Sequence, residues 1–195
     1  MFETGDRDKK MLYDKDIREP LFDFLEERYG KIRIIEEKRV GRSRADVMMV
    51  RPFSIWGIEI KSDADTYARL KRQTKDYDRY FDYNYVVAGS SHGAHIWEHV
   101  PEWWGIITVE EDGSRVDFYV LREAAPNPNR HLRAKLSLLW RRELAHIQKL
   151  NQMPGYRKMS KLFVIDKILL KVPESLLHEQ ISQELFERDY TTIAI

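Results

Sequence analysis

Cysteine is absent from the 195 residues. Disulfide frameworks and thiolate metal sites are thereby excluded, and a reducing compartment fits. No apolar run approaches the roughly 20 residues needed to cross a bilayer. The opening MFETGDRDKKMLYDKD lacks the apolar stretch of a secretory signal. A cytoplasmic protein with no membrane partner is expected. An excess of one charge sign is missing too, the formal net charge being +1. Glycine is sparse, at nine residues, and no nucleotide-binding glycine fingerprint or G-x-S-x-G elbow occurs. The one near match, GSSHG, lacks the Lys-Ser/Thr ending of a phosphate loop. Kinases, GTPases and serine hydrolases therefore get little support.

What is present is the composition of a folded domain: 43% hydrophobic and 33% charged residues, with five Trp and ten Tyr. The charge is unevenly spread. Residues 130–171 hold eleven Lys and Arg against Glu143 and Asp166, while residues 1–129 hold 21 basic and 25 acidic residues. The basic segment is either a polyanion-binding surface or a solvated helical face.

Periodicity places a helix over DKDIREPLFDFLEERYG, with Gly30 as its stop and Pro20 in the first turn or at a kink. Strands follow at 33–40, 44–51 and 54–61, the first two joined by a GRS turn. A helix capped by Asp63 or Asp65 runs to about Phe81. YNYVVAGS reads as a buried strand, HGAHIWEHV as a short helix, and 104–123 as a hairpin turning at Asp112-Gly113. AAPNPN marks a linker. Beyond it RHLRAKLSLLWRRELAHIQKLN reads as one helix, a second starts near Ser160, and a third has Pro173 at its first position. The last two faintly resemble a helix-turn-helix. The 65–81 helix is long enough to return the chain for parallel pairing. An α/β fold is expected: a mixed sheet flanked by helices over 1–124, and a basic helical module over 130–195.

The third strand, SIWGIEIK, carries Glu59 and Lys61 in an otherwise apolar run. Alternation puts both on one face and Ile58 and Ile60 on the other. Asp46 lies on the preceding strand, where antiparallel pairing brings it beside Glu59. Two adjacent carboxylates stay ionised together when a cation sits between them, and hard oxygen ligands suit Mg²⁺ or Mn²⁺. A nearby ammonium then orients water or stabilises charge developing at phosphorus. On the following helix Arg69, Gln73, Tyr77 and Tyr80 share a face. An E-x-K pair also occurs on ordinary half-exposed strands. The upstream Asp, the apolar strand and the acid-capped helix that follows set this one apart.

In that order, Asp46, then EIK, then a helix with Gln73 and Tyr77, the chain resembles the PD-(D/E)XK nuclease superfamily. The stretch RAD…EIKSDADTYARLKRQTKDYDRYFDYNYVV resembles small bacterial and phage members of it. The resemblance covers about residues 14–90 and departs from the pattern in having Ala45, not Pro, before Asp46. It implies a restriction-endonuclease-like core and a metal-dependent nuclease, with DNA favoured over RNA as substrate, in a repair, phage or defence setting. Asp46, Glu59 and the Ile60 carbonyl would hold Mg²⁺ or Mn²⁺. Lys61 would assist the attacking water, with Gln73 and Tyr77 in support. The further acid that the family carries ahead of the Asp is Glu19, Glu36 or Glu37. Strand alternation lets only one of the last two face the cleft, and Glu37 is preferred. Many related nucleases dimerise, so a homodimer is an option. A catalytically inactive nucleic-acid-binding protein, or a protein-interaction module, is the alternative.

Lys38, Arg39, Arg42, Arg44 and Arg51 cluster in sequence around Asp46. Arg39, Arg42, Arg44 and Arg69, with Arg141 and Arg142 in the basic segment, are the candidate backbone contacts. His92, His95 and His99 invite a metal reading but lack a base in register. Trp97, Trp103 and Trp104 suit base stacking or, more commonly, core packing.

Overall fold

The computed structural model describes residues 12–89, 93, 95–113 and 115–190. Helix α1 spans Asp14–Tyr29. Ile17, Leu21 and Leu25, four residues apart, form its buried stripe, and Gly30, at φ 72°, ends it. Pro20 lies within α1 beyond the first turn, and the helix continues through it. The strands are β1 (Arg33–Val40), β2 (Ser43–Arg51), β3 (Ser54–Lys61), β4 (Tyr83–Gly89), β5 (Gly105–Asp112) and β6 (Arg115–Arg122). They form one sheet in chain order. β1, β2 and β3 make an antiparallel meander, β3–β4 and β4–β5 pair in parallel, and β5–β6 is a hairpin. Asp112 is still paired with Arg115, so the hairpin turns one residue later than expected, through Gly113 at φ 65°.

Helix α2 (Leu70–Tyr80) follows a 3₁₀ turn at Tyr67–Arg69 and makes the first parallel crossover. It starts later than the sequence indicates, because neither acid caps it. Asp63 accepts from the Leu12 N–H at 3.2 Å. Asp65 accepts from the N–H and hydroxyl of Ser62 at 3.0 and 2.7 Å. Where α2 crosses β3 the strand carries Gly57. A Cβ there would lie 2.2 Å from Phe81 and 2.7 Å from Tyr77. Glycine thus sets how closely this helix approaches the sheet.

The expected long helix after Arg130 is two: α3 (Leu132–Ser137) and α4 (Arg141–Leu150). The break has a cause outside the segment. The buried Arg188 guanidinium donates to the Leu138 carbonyl at 3.0 Å and to Glu143 at 2.6 and 2.7 Å, while Glu143 accepts from the Trp140 N–H at 2.6 Å. Those bonds take backbone groups out of a continuous helical ladder. Helix α5 (Lys161–Lys171) is capped by Ser160, whose hydroxyl accepts from the Phe163 N–H at 3.2 Å, and α6 (Glu174–Phe186) follows Pro173.

The two faces of the sheet bury different clusters. Val47, Met49, Trp56, Ile58, Ile60 and Val87 meet α1. Met48, Val50, Ile55, Val86 and Ala88 share a core with α2 and with Leu136, Leu144, Ile168 and Ile181 of the later helices. The helices after Arg130 therefore pack on the sheet face that α2 also covers. Among the described residues no helix is long and apolar enough to cross a membrane.

Candidate functional site

Pairing between β2 and β3 ends at Val47↔Ile58. Beyond it the strands splay, and the next residues are Asp46 and Glu59. The Asp46 carboxylate enters the fork and accepts from the Ile60 N–H at 2.9 Å, replacing the lost ladder bond. Glu59 and Lys61, 1% and 2% exposed, point to the α2 face. Lys61 Nζ donates to Glu59 Oε1 at 2.6 Å and to Gln73 Oε1 at 3.3 Å, and Gln73 Nε2 donates to the same Glu59 oxygen. Tyr77, fully buried, donates to Glu59 Oε2 at 2.6 Å and accepts from the Asp46 N–H at 3.2 Å. Its phenol is held well above the usual range by burial and then by the two carboxylates. The strand's two charges are thus partnered within a network that α2 completes.

These groups open into a cavity of about 440 Å³ lined by Asp14, Arg18, Glu37, Arg42, Ser43, Arg44, Asp46, Glu59, Ile60, Lys61, Asp65, Arg69, Arg72 and Gln73. Six cations and five carboxylates meet there. Burial, followed by the adjacent Glu59 charge, pushes the Asp46 acid up to about 8, against the Ile60 N–H bond and the Lys61 ammonium. A site that raises an acid this far has cationic compensation to gain.

Asp46, Glu59, Ile60, Lys61, Gln73, Glu37, Arg42, Arg44 and Arg69 are therefore brought together, with Tyr77 directly behind them. Glu19 is not: it is exposed on α1, two residues or about 200° round the helix from buried Ile17. Asp14 and Arg18 stand at the cavity instead, and the Ile17/Leu21/Leu25 stripe would have located them. Arg18 donates to the Asp46 carbonyl at 3.1 Å, to Asp14 at 2.9 Å and to Glu36 at 3.2 Å, and pairs with Glu37 at 3.1 Å. Both glutamates reach Arg18, contrary to simple alternation. Glu37 has φ 54°, a left-handed kink where the β1–β2 ladder skips a bridge, and it also pairs with Arg44.

The arginine cluster divides. The turn through Gly41 is tied to α2 by Asp76, which accepts from the Arg42 N–H and, at 2.6 Å, from the Ser43 hydroxyl. That bond aims Arg42 and Arg44 at the cavity. Arg39 is exposed but does not line it, and Arg51 lies at the far end of β2 over Tyr29 and Trp56. Arg141 donates to the Tyr156 carbonyl, and Arg142 covers Trp140 and donates to the Asp189 carbonyl, both away from this cavity. Tyr80 is half-buried against the core. Trp104 is buried and donates to Asp78, as Trp103 does, whereas Trp97 is exposed. His92 lies outside the described residues. His95 and His99 are exposed, His99 stacking on Tyr67 at 4.0 Å. Among the described residues no group of three or more His, Cys, Asp or Glu side chains is arranged to hold a metal.

The architecture is thus α/β, a six-stranded mixed sheet flanked by helices, with a charged cavity where two strands part. The chain belongs to the bacteriophage P4 protein cII family, whose family model matches residues 7–192. No curated protein matches. Among solved structures, the chain is similar to Pyrococcus furiosus SfsA in complex with Ca²⁺, at 17% identity and a TM-score of 0.33. That match covers 56% of this chain and 60% of the SfsA chain, so less than two thirds of SfsA is spanned.

Proposed function

We propose that this chain is a metal-dependent nuclease of the PD-(D/E)XK type, built on a restriction-endonuclease-like core and acting on nucleic-acid phosphodiesters, DNA before RNA. The observation that carries the reading is the pair Asp46 and Glu59 on one cavity, with the Lys61 ammonium 2.6 Å from Glu59 and the Asp46 acid raised to about 8. The donor set fits a hard divalent cation. Asp46, Glu59 and the Ile60 carbonyl would hold Mg²⁺ or Mn²⁺, and Mg²⁺ keeps several waters, so two carboxylates suffice. The ion would supply Lewis-acid polarisation of the phosphate. Lys61, anchored to Glu59 and Gln73, would orient water and offset charge developing on the phosphate oxygens. Tyr77 fixes Glu59 from behind. Arg42, Arg44, Arg69 and Arg72 on the cavity wall would engage the nucleic-acid backbone.

The test is cleavage of plasmid and of single- and double-stranded oligonucleotides in Mg²⁺ or Mn²⁺ against chelator. Cleavage lost in Asp46→Ala and in Glu59→Gln, with the fold retained by circular dichroism, is the expected result. Either variant cutting at the wild-type rate ends the assignment.

A second reading is nucleic-acid binding without hydrolysis. It is favoured by the fact that both Glu59 oxygens already accept hydrogen bonds, from Lys61, Gln73 and Tyr77. It predicts binding with a steep salt dependence and no metal-dependent turnover.

A further inference from the structure

At the opposite end of β3 lies a second cavity, of about 480 Å³, lined by Arg51, Pro52, Phe53, Ser54, Trp56, Asp82, Tyr83, Pro126, Arg130 and His178. Ser54 lines it and Ile60 lines the first, six residues or roughly 20 Å of strand apart. The two are separate sites.

Two arginines, Arg51 and Arg130, line it against one carboxylate. Asp82 is the single carboxylate, and it is already engaged: Lys135, wholly buried, donates to its two oxygens at 2.8 and 2.7 Å, Arg130 pairs with it at 3.6 Å, and it accepts from the Ile55 N–H at 2.9 Å. Lys135 also contacts His178 Nδ1 at 2.7 Å. Asp82 thus faces Lys135 and Arg130, His178 bridges Lys135 through Nδ1 and Glu174 through Nε2 at 3.4 Å, and Arg51 adds a further positive charge. The Arg51 guanidinium lies over the Tyr29 and Trp56 rings, 4.7 and 5.4 Å from their centroids, and no carboxylate pairs with it among the described residues. A guanidinium held by its flat face keeps its edge N–H groups for an anion.

The walls are aromatic. Trp56 and Tyr83 stack at 4.3 Å and 19°. Phe53 stands at the mouth, 62% exposed. Arg51 and Ser54 are paired, so Pro52 and Phe53 form a two-residue turn, and Phe53 has φ 66°. That position of a turn ordinarily takes glycine, because an L side chain is strained there. A bulky ring retained in this conformation, exposed and on the same cavity as Arg51 and Arg130, points to a role that glycine would not fill.

We propose that this second cavity binds a nucleoside phosphate, with the phosphate on Arg130 and Arg51 and the base against Phe53 and Tyr83. The ligand is either a free mononucleotide or the phosphorylated end of a nucleic-acid strand, which present the same chemistry. The inference does not depend on hydrolysis at the first cavity.

The experiment is titration of the full chain, in chelator, with AMP, with inorganic phosphate, and with one single-stranded oligonucleotide carrying either a 5′-phosphate or a 5′-hydroxyl. Intrinsic tryptophan fluorescence and calorimetry give the affinities. Saturable binding is expected for AMP or for the 5′-phosphorylated strand, at least tenfold tighter than for inorganic phosphate. If the strand end is the ligand, the 5′-phosphate form binds better than the 5′-hydroxyl form and better than AMP. Phe53→Gly is expected to fold at least as stably as the parent, since it relieves the backbone, yet to lose tenfold or more in affinity. Arg130→Gln is expected to lose as much. The proposal is overturned by inorganic phosphate binding as tightly as the nucleotides, by no saturable binding of any, or by unchanged affinity in both Phe53→Gly and Arg130→Gln.

Discussion

Replacing Asp46 by Asn removes a charge that the metal-free fold holds at a cost. In the folded chain the acid titrates near pH 8, because it is half-buried beside Glu59, against an ordinary value of 3.8. The folded state therefore binds this proton more tightly than the unfolded chain does. The stability it contributes is complete below about pH 4, falls as pH rises, and is lost once pH passes the folded value of about 8. At pH 7 the difference spans about three units, or at most about 4 kcal/mol at 1.36 kcal/mol per unit. Water reaching the open side of the carboxylate reduces this, and about 1–3 kcal/mol is expected. Asn does not ionise and its amide oxygen can still accept from the Ile60 N–H. Asp46→Asn should thus match the parent near pH 4 and become progressively more stable toward pH 8. Urea unfolding across that range, in chelator, reads the effect. Adding Mg²⁺ should stabilise the parent and not the variant, by the linkage of ligand binding to folding. A pH-independent difference, or a variant less stable than the parent at pH 8 in chelator, would refute the account of the raised acid.

Two predictions concern the scaffold. Gly57→Ala places a methyl within 2.2 Å of Phe81 and should cost about 3 kcal/mol or more in chemical unfolding, because α2 must lift from the sheet; a loss under about 1 kcal/mol would show that Phe81 and Tyr77 yield freely. Lys135→Met leaves buried Asp82 without its closest cation and should cost about 3–5 kcal/mol in urea unfolding at neutral pH; a loss under about 1 kcal/mol would refute the ion-pair account.

How much of this was legible beforehand differs from element to element. β1 and β3 fall at the bounds that their apolar patterns indicate, because side chains buried by a sheet must alternate or run continuously. The parallel crossover and Gly30 as a helix stop were also readable. The split between α3 and α4 was not, since its cause is Arg188, fifty residues from the Leu138 carbonyl it holds. The site divides likewise. Glu59 and Lys61 announce themselves as charges in an apolar strand, and Gln73 and Tyr77 follow from helical spacing. Asp14 and Arg18 carry no such contrast and were not singled out, although the apolar stripe of α1 puts them beside Ile17 and turns Glu19, a candidate ranked behind Glu37, away from the cavity.

By itself the sequence determined the character of the segments: which are strands and helices, which face of each is apolar, and that Asp46, Glu59 and Lys61 had to find partners or water. These are local consequences of side-chain period and of the cost of burying charge. Only the tertiary structure decided who the partners are. Where β2 parts from β3, how near Gly57 lets α2 come, and whether a given arginine meets a cavity, a ring or a carbonyl depend on groups far apart in the chain. Hydrogen bonds form only at contact distance and ion pairs weaken with separation in space, so spacing along the sequence cannot specify them.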